Sequence, residues 1–161
     1  MKEEIIKRLE SMRRAIKEAG IDAVIVPSFD RHLNEYTPRC WQARQYISGF
    51  LGSAGTAVVT AEHAALWTDS RYFLEATEVL QGTTYELMKE GMPGTPTIAA
   101  WLRSLPEVKR VALNGECMSV ADAAQLQKEL RLGHVCLDLG QLVEVVECRA
   151  RHAGLAGKDQ R

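Results

Sequence analysis

The sequence predicts a single α/β domain, a mixed β-sheet flanked by helices, and three observations carry that prediction. The chain has 161 residues, enough for one core-forming domain and too few for two ordinary ones. Short apolar runs of strand length alternate along it with amphipathic stretches of helical length, the order of a layered α/β fold. Two of those runs, "TAVVT" and "AALWT", are separated only by "AEH", so an antiparallel hairpin sits inside an otherwise helix-connected order.

The elements follow in order. Ile5, Ile6, Leu9, Met12, Ile16 and Ala19 recur at helical spacing, and Gly20 supplies the stop just past the end. "DAVIVP", Asp22 to Pro27, reads as a short buried strand ending at a proline. "FDRHLNEY" follows as a polar loop or helical turn. "PRCWQARQYISGF" places Trp41, Ala43, Arg44 and Ile47 in a second helix opened by Pro38. "GSAG", Gly52 to Gly55, breaks the pattern before the hairpin. After it come a helix from about Arg71 to Leu80, a strand around "TYELMK" and a loop "EGMPGTP". Thr95 or Thr97 can cap the helix "TIAAWLRSL", since a hydroxyl there accepts from an orphan backbone N–H. "RVALNG" is a strand, "SVADAAQLQKELR" a helix capped by Ser119, and "HVCLDL" a last strand. The tail "CRARHAGLAGKDQR" has little apolar periodicity, so the domain is placed at residues 1–146 and an exit linker or cut end at 147–161.

Composition narrows the function classes. Apolar residues make up 46% and charged residues 25%, the proportions of a globular protein rather than a disordered tail or a membrane span. A net charge of -1 argues against a phosphate-neutralising surface, so nucleic acid is not expected as a partner. "MKEEIIKRLESMRRAIKEAG" has acids near its start and no continuous apolar core, so it reads as an amphipathic helix and not a signal peptide, and a cytoplasmic location is expected. Cys40, Cys117, Cys136 and Cys148 show no CxxC spacing and no neighbouring His pair; they are expected to be small buried hydrophobes.

Three stretches carry polar chemistry. "GFLGSAGT" could form an anion nest of successive N–H groups, but it does not match a phosphate loop and runs into a strand; tight turning and close backbone packing is the plainer reading. "FDRHLNEY" gathers Asp30, Arg31, His32, Glu35 and Tyr36. His32 and Glu35 alone are a thin metal shell, and a polar network satisfying the loop backbone accounts for the residue types better. In "ALWTDSRYFLEA", Asp69 or Ser70 can cap the following helix. Arg71 in a first helical turn would oppose the macrodipole, so its fork is either paired with Asp69 or presented to a carboxylate or carbonyl of a ligand.

"IDAVIVPSFDRHLNEY", "RQYISGFLGSAGTAVVT", "HAALWTDSRYFLEA" and "YELMKEGMPGTPTIAAWL", in this order, resemble the N-terminal domain of the Xaa-Pro aminopeptidases of the creatinase/prolidase family, closest to the cytosolic three-domain type. The resemblance runs from roughly Arg8 to Val143; beyond it the family continues with a tryptophan and an Asp-Arg-Pro sequence, where this chain has "VECRARHAGL". It implies a creatinase N-terminal, ribonuclease-H-like fold that contributes to homodimer contacts and closes over a catalytic cleft. It also implies a parent that removes the first residue of peptides with proline second. That reaction uses two divalent metals, commonly manganese, held by two aspartates, a histidine and two glutamates in a catalytic domain this chain does not contain. By that resemblance the chain holds no catalytic or metal-ligating residue, is inactive alone, and works with the middle and catalytic domains of its parent. Arg71 falls on the family's substrate-binding arginine, and Asp30, His32, Glu35 and Tyr36 fall on a cleft-rim or domain-contact stretch. Ser70 stands where the family has glycine, which would cost of order 1 kcal/mol were φ positive there. Asn34 and Arg31 replace a serine and a proline while keeping polarity. The competing expectation is a stand-alone peptide-binding or scaffold module of the same fold; a domain that has lost its partners should expose apolar surface where they sat.

Overall fold

The computed structural model describes residues 1–139. Over these residues the chain runs α1 (Lys2–Glu18), β1 (Ala23–Pro27), α2 (Ala43–Ser48), β2 (Thr56–Thr60), β3 (Ala64–Thr68), α3 (Phe73–Leu80), β4 (Tyr85–Lys89), α4 (Ile98–Ser104), β5 (Arg110–Leu113), α5 (Val120–Arg131) and β6 (Cys136–Leu139). The expected domain end at 146 and the segment 147–161 lie outside the described residues.

The strands form one mixed sheet in the order β4-β3-β2-β1-β5-β6. The hairpin reading holds: β2 and β3 are antiparallel, with Ala57 opposite Leu66, and β1 and β2 are antiparallel, with Val24 opposite Val59. The helix-connected neighbours β3 and β4, and β5 and β6, are parallel, as crossover connections require, and β1 and β5, far apart in the chain, are parallel as well.

Strand alternation divides the core in two. Val24, Val26, Ala57, Val59 and Leu66 face α1, α2 and α3, against Ile5, Leu9, Ile16, Ile47 and Leu80. Ala23, Ile25, Val58, Trp67 and Leu113 face α4 and α5, against Trp101, Leu102 and Leu130. Because both faces are covered, β1 and β3 are buried at every position and read as continuous apolar runs. Each fully buried aliphatic side chain contributes about 1.5–3 kcal/mol, so it is this burial, not helix propensity, that holds the short helices in place.

The caps explain why the helices stop and start where they do. Gly20 at φ 69° ends α1, its N–H bonding Lys17 O while the Ile21 N–H bonds Ile16 O, which satisfies two orphan carbonyls. Thr97, rather than Thr95, caps α4 by accepting from Ala100 N, and Ser119 caps α5 by accepting from Asp122 N.

Two expected helices are shorter than the sequence suggests. The segment opened by Pro38 is a 3-10 turn, Arg39–Trp41, and α2 begins only at Ala43. Gln42 breaks the run at φ −83°, ψ 47°, with its side-chain amide donating to Thr37 O at 2.9 Å. Likewise the helix expected from Arg71 is a 3-10 turn, Ser70–Tyr72, before α3 at Phe73. Arg71 therefore precedes the α-helix and does not sit against its dipole. Ser70 is not among the positive-φ residues, so serine there carries no left-handed backbone strain. The cysteine expectation is also corrected: Cys117 is buried, but Cys40 and Cys136 are exposed, and Cys148 lies outside the described residues.

Candidate functional site

The strand registers bring the polar stretches to one end of the sheet. Pro27 of β1 lies opposite Thr56 of β2, Thr56 opposite Trp67 of β3, and Thr68 opposite Lys89 of β4. The segments after β1, before β2 and after β3 thus meet at this end of the sheet, though they are far apart in sequence.

Arg71 is presented there by Asp69. The Asp69 carboxylate caps the turn by accepting from Arg71 N at 3.0 Å, and also accepts from Arg71 Nε at 3.0 Å and Nη2 at 2.9 Å. This side-on pair fixes the fork and leaves Nη1 and one N–H of Nη2 for another acceptor. The Arg71 side chain is 60% exposed. Its hydrogen bonds and charge contact with Asp69 hold the guanidinium above its ordinary pKa, and the same bonds, outweighing desolvation, hold Asp69 below the usual carboxylate range. Arg71 is therefore paired with Asp69 and still faces solvent with the rest of its fork.

The β1–α2 loop separates its residues. Asp30 is buried, at 2% exposure. Its Oδ1 accepts from the backbone N–H groups of His32 at 2.9 Å and Asn34 at 3.1 Å, and its Oδ2 accepts from Asn34 Nδ2 at 3.0 Å. Burial works against its charge, but the Asn34 and His32 bonds outweigh it and hold the carboxyl below its ordinary pKa. Asn34 thus keeps the loop closed in place of the serine expected there. His32, Glu35 and Tyr36 are exposed, Tyr36 at 82%. Arg31 reaches Glu116 Oε2 at 3.3 Å and lies over Trp41.

Glu35 has partners that no local pattern announced. Ser53 Oγ donates to Glu35 Oε1 at 3.0 Å and lies 2.7 Å from Tyr72 OH. A hydroxyl has one proton, so Tyr72 OH donates to Ser53, giving a chain from Tyr72 through Ser53 to Glu35 beside Arg71. The backbone leading into Ser53 is bonded by Arg44, a fully buried residue of α2 whose Nη1 donates to Phe50 O at 2.9 Å and whose Nη2 donates to Gly52 O. Burial lowers the Arg44 pKa to about 10. Close packing explains the glycines of this loop: a Cβ on Gly52 would overlap the Phe50 and Tyr72 rings, and one on Gly55 would lie 3.1 Å from Trp67 O. The apolar residues Phe29, Leu33, Tyr36, Leu51 and Leu74, all on segments at this end, are exposed.

These residues do not fit a metal centre. Both Asp30 oxygens are taken by N–H donors, and among the described residues no group of three or more His, Cys, Asp or Glu is placed to hold an ion. The arrangement can instead present a fixed cation and a polar rim. Asp30→Ala is expected to lower the melting temperature without displacing Arg71. Since the folded pKa is depressed, Asp30 stabilises fully above the unfolded carboxylate pKa of about 4 and less as pH falls through the lower folded value. Thermal melts of both proteins at pH 7 and pH 2 should show the gap closing in acid; a gap independent of pH would mean the carboxylate is not what holds the loop.

Comparison with known proteins finds that the model of the creatinase/prolidase N-terminal domain matches residues 8–149. Aminopeptidase P2 of Arabidopsis thaliana is 48% identical over 127 residues, 77% of this chain and 18% of that protein. The Xaa-Pro aminopeptidase ApepP of Drosophila melanogaster is 42% identical over 131 residues, 79% of this chain and 21% of that protein. Among solved structures, an X-prolyl aminopeptidase of Caenorhabditis elegans, described as a cytosolic enzyme with a di-nuclear active site, superposes with a TM-score of 0.79 and 27% identity over 88% of this chain and 25% of that one. The chain spans 18% and 21% of the length of these two curated relatives.

Proposed function

The chain belongs to the creatinase/prolidase N-terminal domain family, and from that premise we propose that it is the substrate-gating N-terminal domain of an Xaa-Pro aminopeptidase. The observation that carries the reading is the tethered, solvent-facing Arg71 at the sheet end where the polar and exposed apolar residues gather. In this reading Arg71 binds a carbonyl or carboxylate of a peptide with proline at its second position. Asp30 shapes the cleft rim, while His32, Glu35 and Tyr36 line it. The exposed apolar residues beside them support packing onto the middle and catalytic domains of the parent, because large apolar side chains gathered at one face mark an interface. Peptide hydrolysis belongs to two divalent metals, manganese in this proposal, in the catalytic domain; this chain orients the substrate and is silent alone. The parent is a cytoplasmic homodimer in this reading. The description of the worm relative as cytosolic supports the location, and no helix among the described residues is long and apolar enough to cross a membrane.

The test is an assay of the full-length polypeptide that carries this domain. Expected are cleavage of an Xaa-Pro peptide, none of its Xaa-Ala counterpart, loss of activity on chelation, and no cleavage by the 161-residue chain. A full-length protein that folds but leaves Xaa-Pro peptides intact would move the assignment to a binding module.

A further inference from the structure

A second site lies at the opposite end of the sheet and does not rest on the aminopeptidase reading. A groove of about 570 Å³ opens between α1, the α1–β1 turn, the β2–β3 hairpin and the connection before β5. Its apolar side is formed by Ile16, Ile21 and Ala61, and α1 lends it three cations, Arg13, Arg14 and Lys17.

The charges in the groove are unequally satisfied. Of its two acids, Asp22 accepts from the backbone N–H groups of Lys109 at 2.9 Å and Arg110 at 2.8 Å, and Glu107 faces His63 Nε2 at 3.8 Å. The cations are less well met. Arg13 Nε donates to Thr60 O at 3.0 Å, which anchors the fork, but its Nη2 is buried and has no hydrogen-bond partner among the described residues. Arg14 Nη2 donates to Ser11 Oγ over a long 3.5 Å. Tyr85, Glu10 and Glu62 lie within electrostatic range of Arg13, yet desolvation outweighs them and lowers its pKa, so its charge is under-compensated. A buried guanidinium nitrogen without an acceptor calls for a missing partner, and the planar fork matches an oxyanion.

We infer that this groove binds a small oxyanion ligand, a carboxylate or a phosphate, held by Arg13, Arg14 and Lys17 with its apolar body along Ile16, Ile21 and Ala61. The probes are succinate and inorganic phosphate, titrated separately at low ionic strength into the 15N-labelled 161-residue chain. Saturable amide shifts at Gly20, Ile21 and Ala61 are expected, with succinate alone, phosphate alone or both saturating according to the preferred oxyanion. Arg14→Gln and Lys17→Gln, at exposed positions, should keep the native spectrum and each weaken binding about tenfold, the effect of one lost charge contact. The inference is overturned if neither probe saturates, or if both variants bind as the wild type does.

Discussion

Arg44→Ala is expected to lower the unfolding free energy of this domain by about 3 kcal/mol, because it removes the donor from two buried carbonyls, at about 1–3 kcal/mol each. Phe50 O and Gly52 O would lose their donors, and the Phe50 ring would lose the guanidinium 4.9 Å from its centre. Arg44 makes no ion pair among the described residues, and burial disfavours its charge, so the carbonyl bonds are what hold it in place. That reasoning separates two further variants. Arg44→Met restores much of the volume but no donor, and should recover only part of the loss; Arg44→Lys keeps a charge that can reach one carbonyl and should lie between Met and wild type. Urea denaturation of the series measures the order. If Arg44→Met equals wild type, the side chain serves as packing and the carbonyls are met by other means. Faster amide exchange over residues 49–55 in Arg44→Ala would show that the loop carrying Ser53 loosens with it.

Arg44 also shows where sequence reasoning stops. The α/β order, the hairpin and the caps at Gly20 and Ser119 were legible because each rests on residues within a few positions of one another. Arg44 was read only as one residue of a helix. The available signal was a charge on the same face as Ala43 and Ile47, a stripe that is buried in the structure. Nothing local could have joined Glu35 to Ser53, 18 positions away, and Ser53 to Tyr72, 19 positions away; that chain exists because β1, β2 and β3 bring their loops to one end of the sheet. The break at Gln42 was hidden for a different reason: neither glycine nor proline marks it, and a side-chain amide bond to Thr37 O supplies what a turn residue would. The cysteine expectation holds for Cys117 and fails for Cys40 and Cys136, since composition describes averages while these two sit on a surface turn and an edge strand.

Within the candidate site the division of labour among the polar residues was not legible from their spacing. The backbone-satisfying network expected of this loop falls to Asp30, whose carboxylate is spent on the loop's own donors, while His32, Glu35 and Tyr36, grouped with it as a contact cluster by the resemblance, face outward. A buried acid with three donors is a hub of local structure; only the exposed members remain for a partner.

Arg71→Ala in the full-length polypeptide is expected to lower kcat/KM for Xaa-Pro peptides by about 10- to 100-fold, the effect of one or two charge-assisted hydrogen bonds to substrate. The same change in this chain alone should leave the melting temperature where it is, since an exposed pair contributes little to folding. The distribution between constants carries the mechanism. A loss mainly in KM means that Arg71 grips ground state and transition state alike; a loss mainly in kcat means that it orients the scissile bond during reaction. Arg71→Lys keeps the charge without the fork and should restore only part of the rate if two-point recognition matters. Asp69→Ala is the sharper control: it leaves Arg71 charged and exposed but removes the three bonds that aim it, so activity should fall while the cation remains. Full activity in Asp69→Ala would mean that aim is irrelevant. Unchanged kinetics in Arg71→Ala together with a lower melting temperature would reduce Arg71 to the structural partner of Asp69.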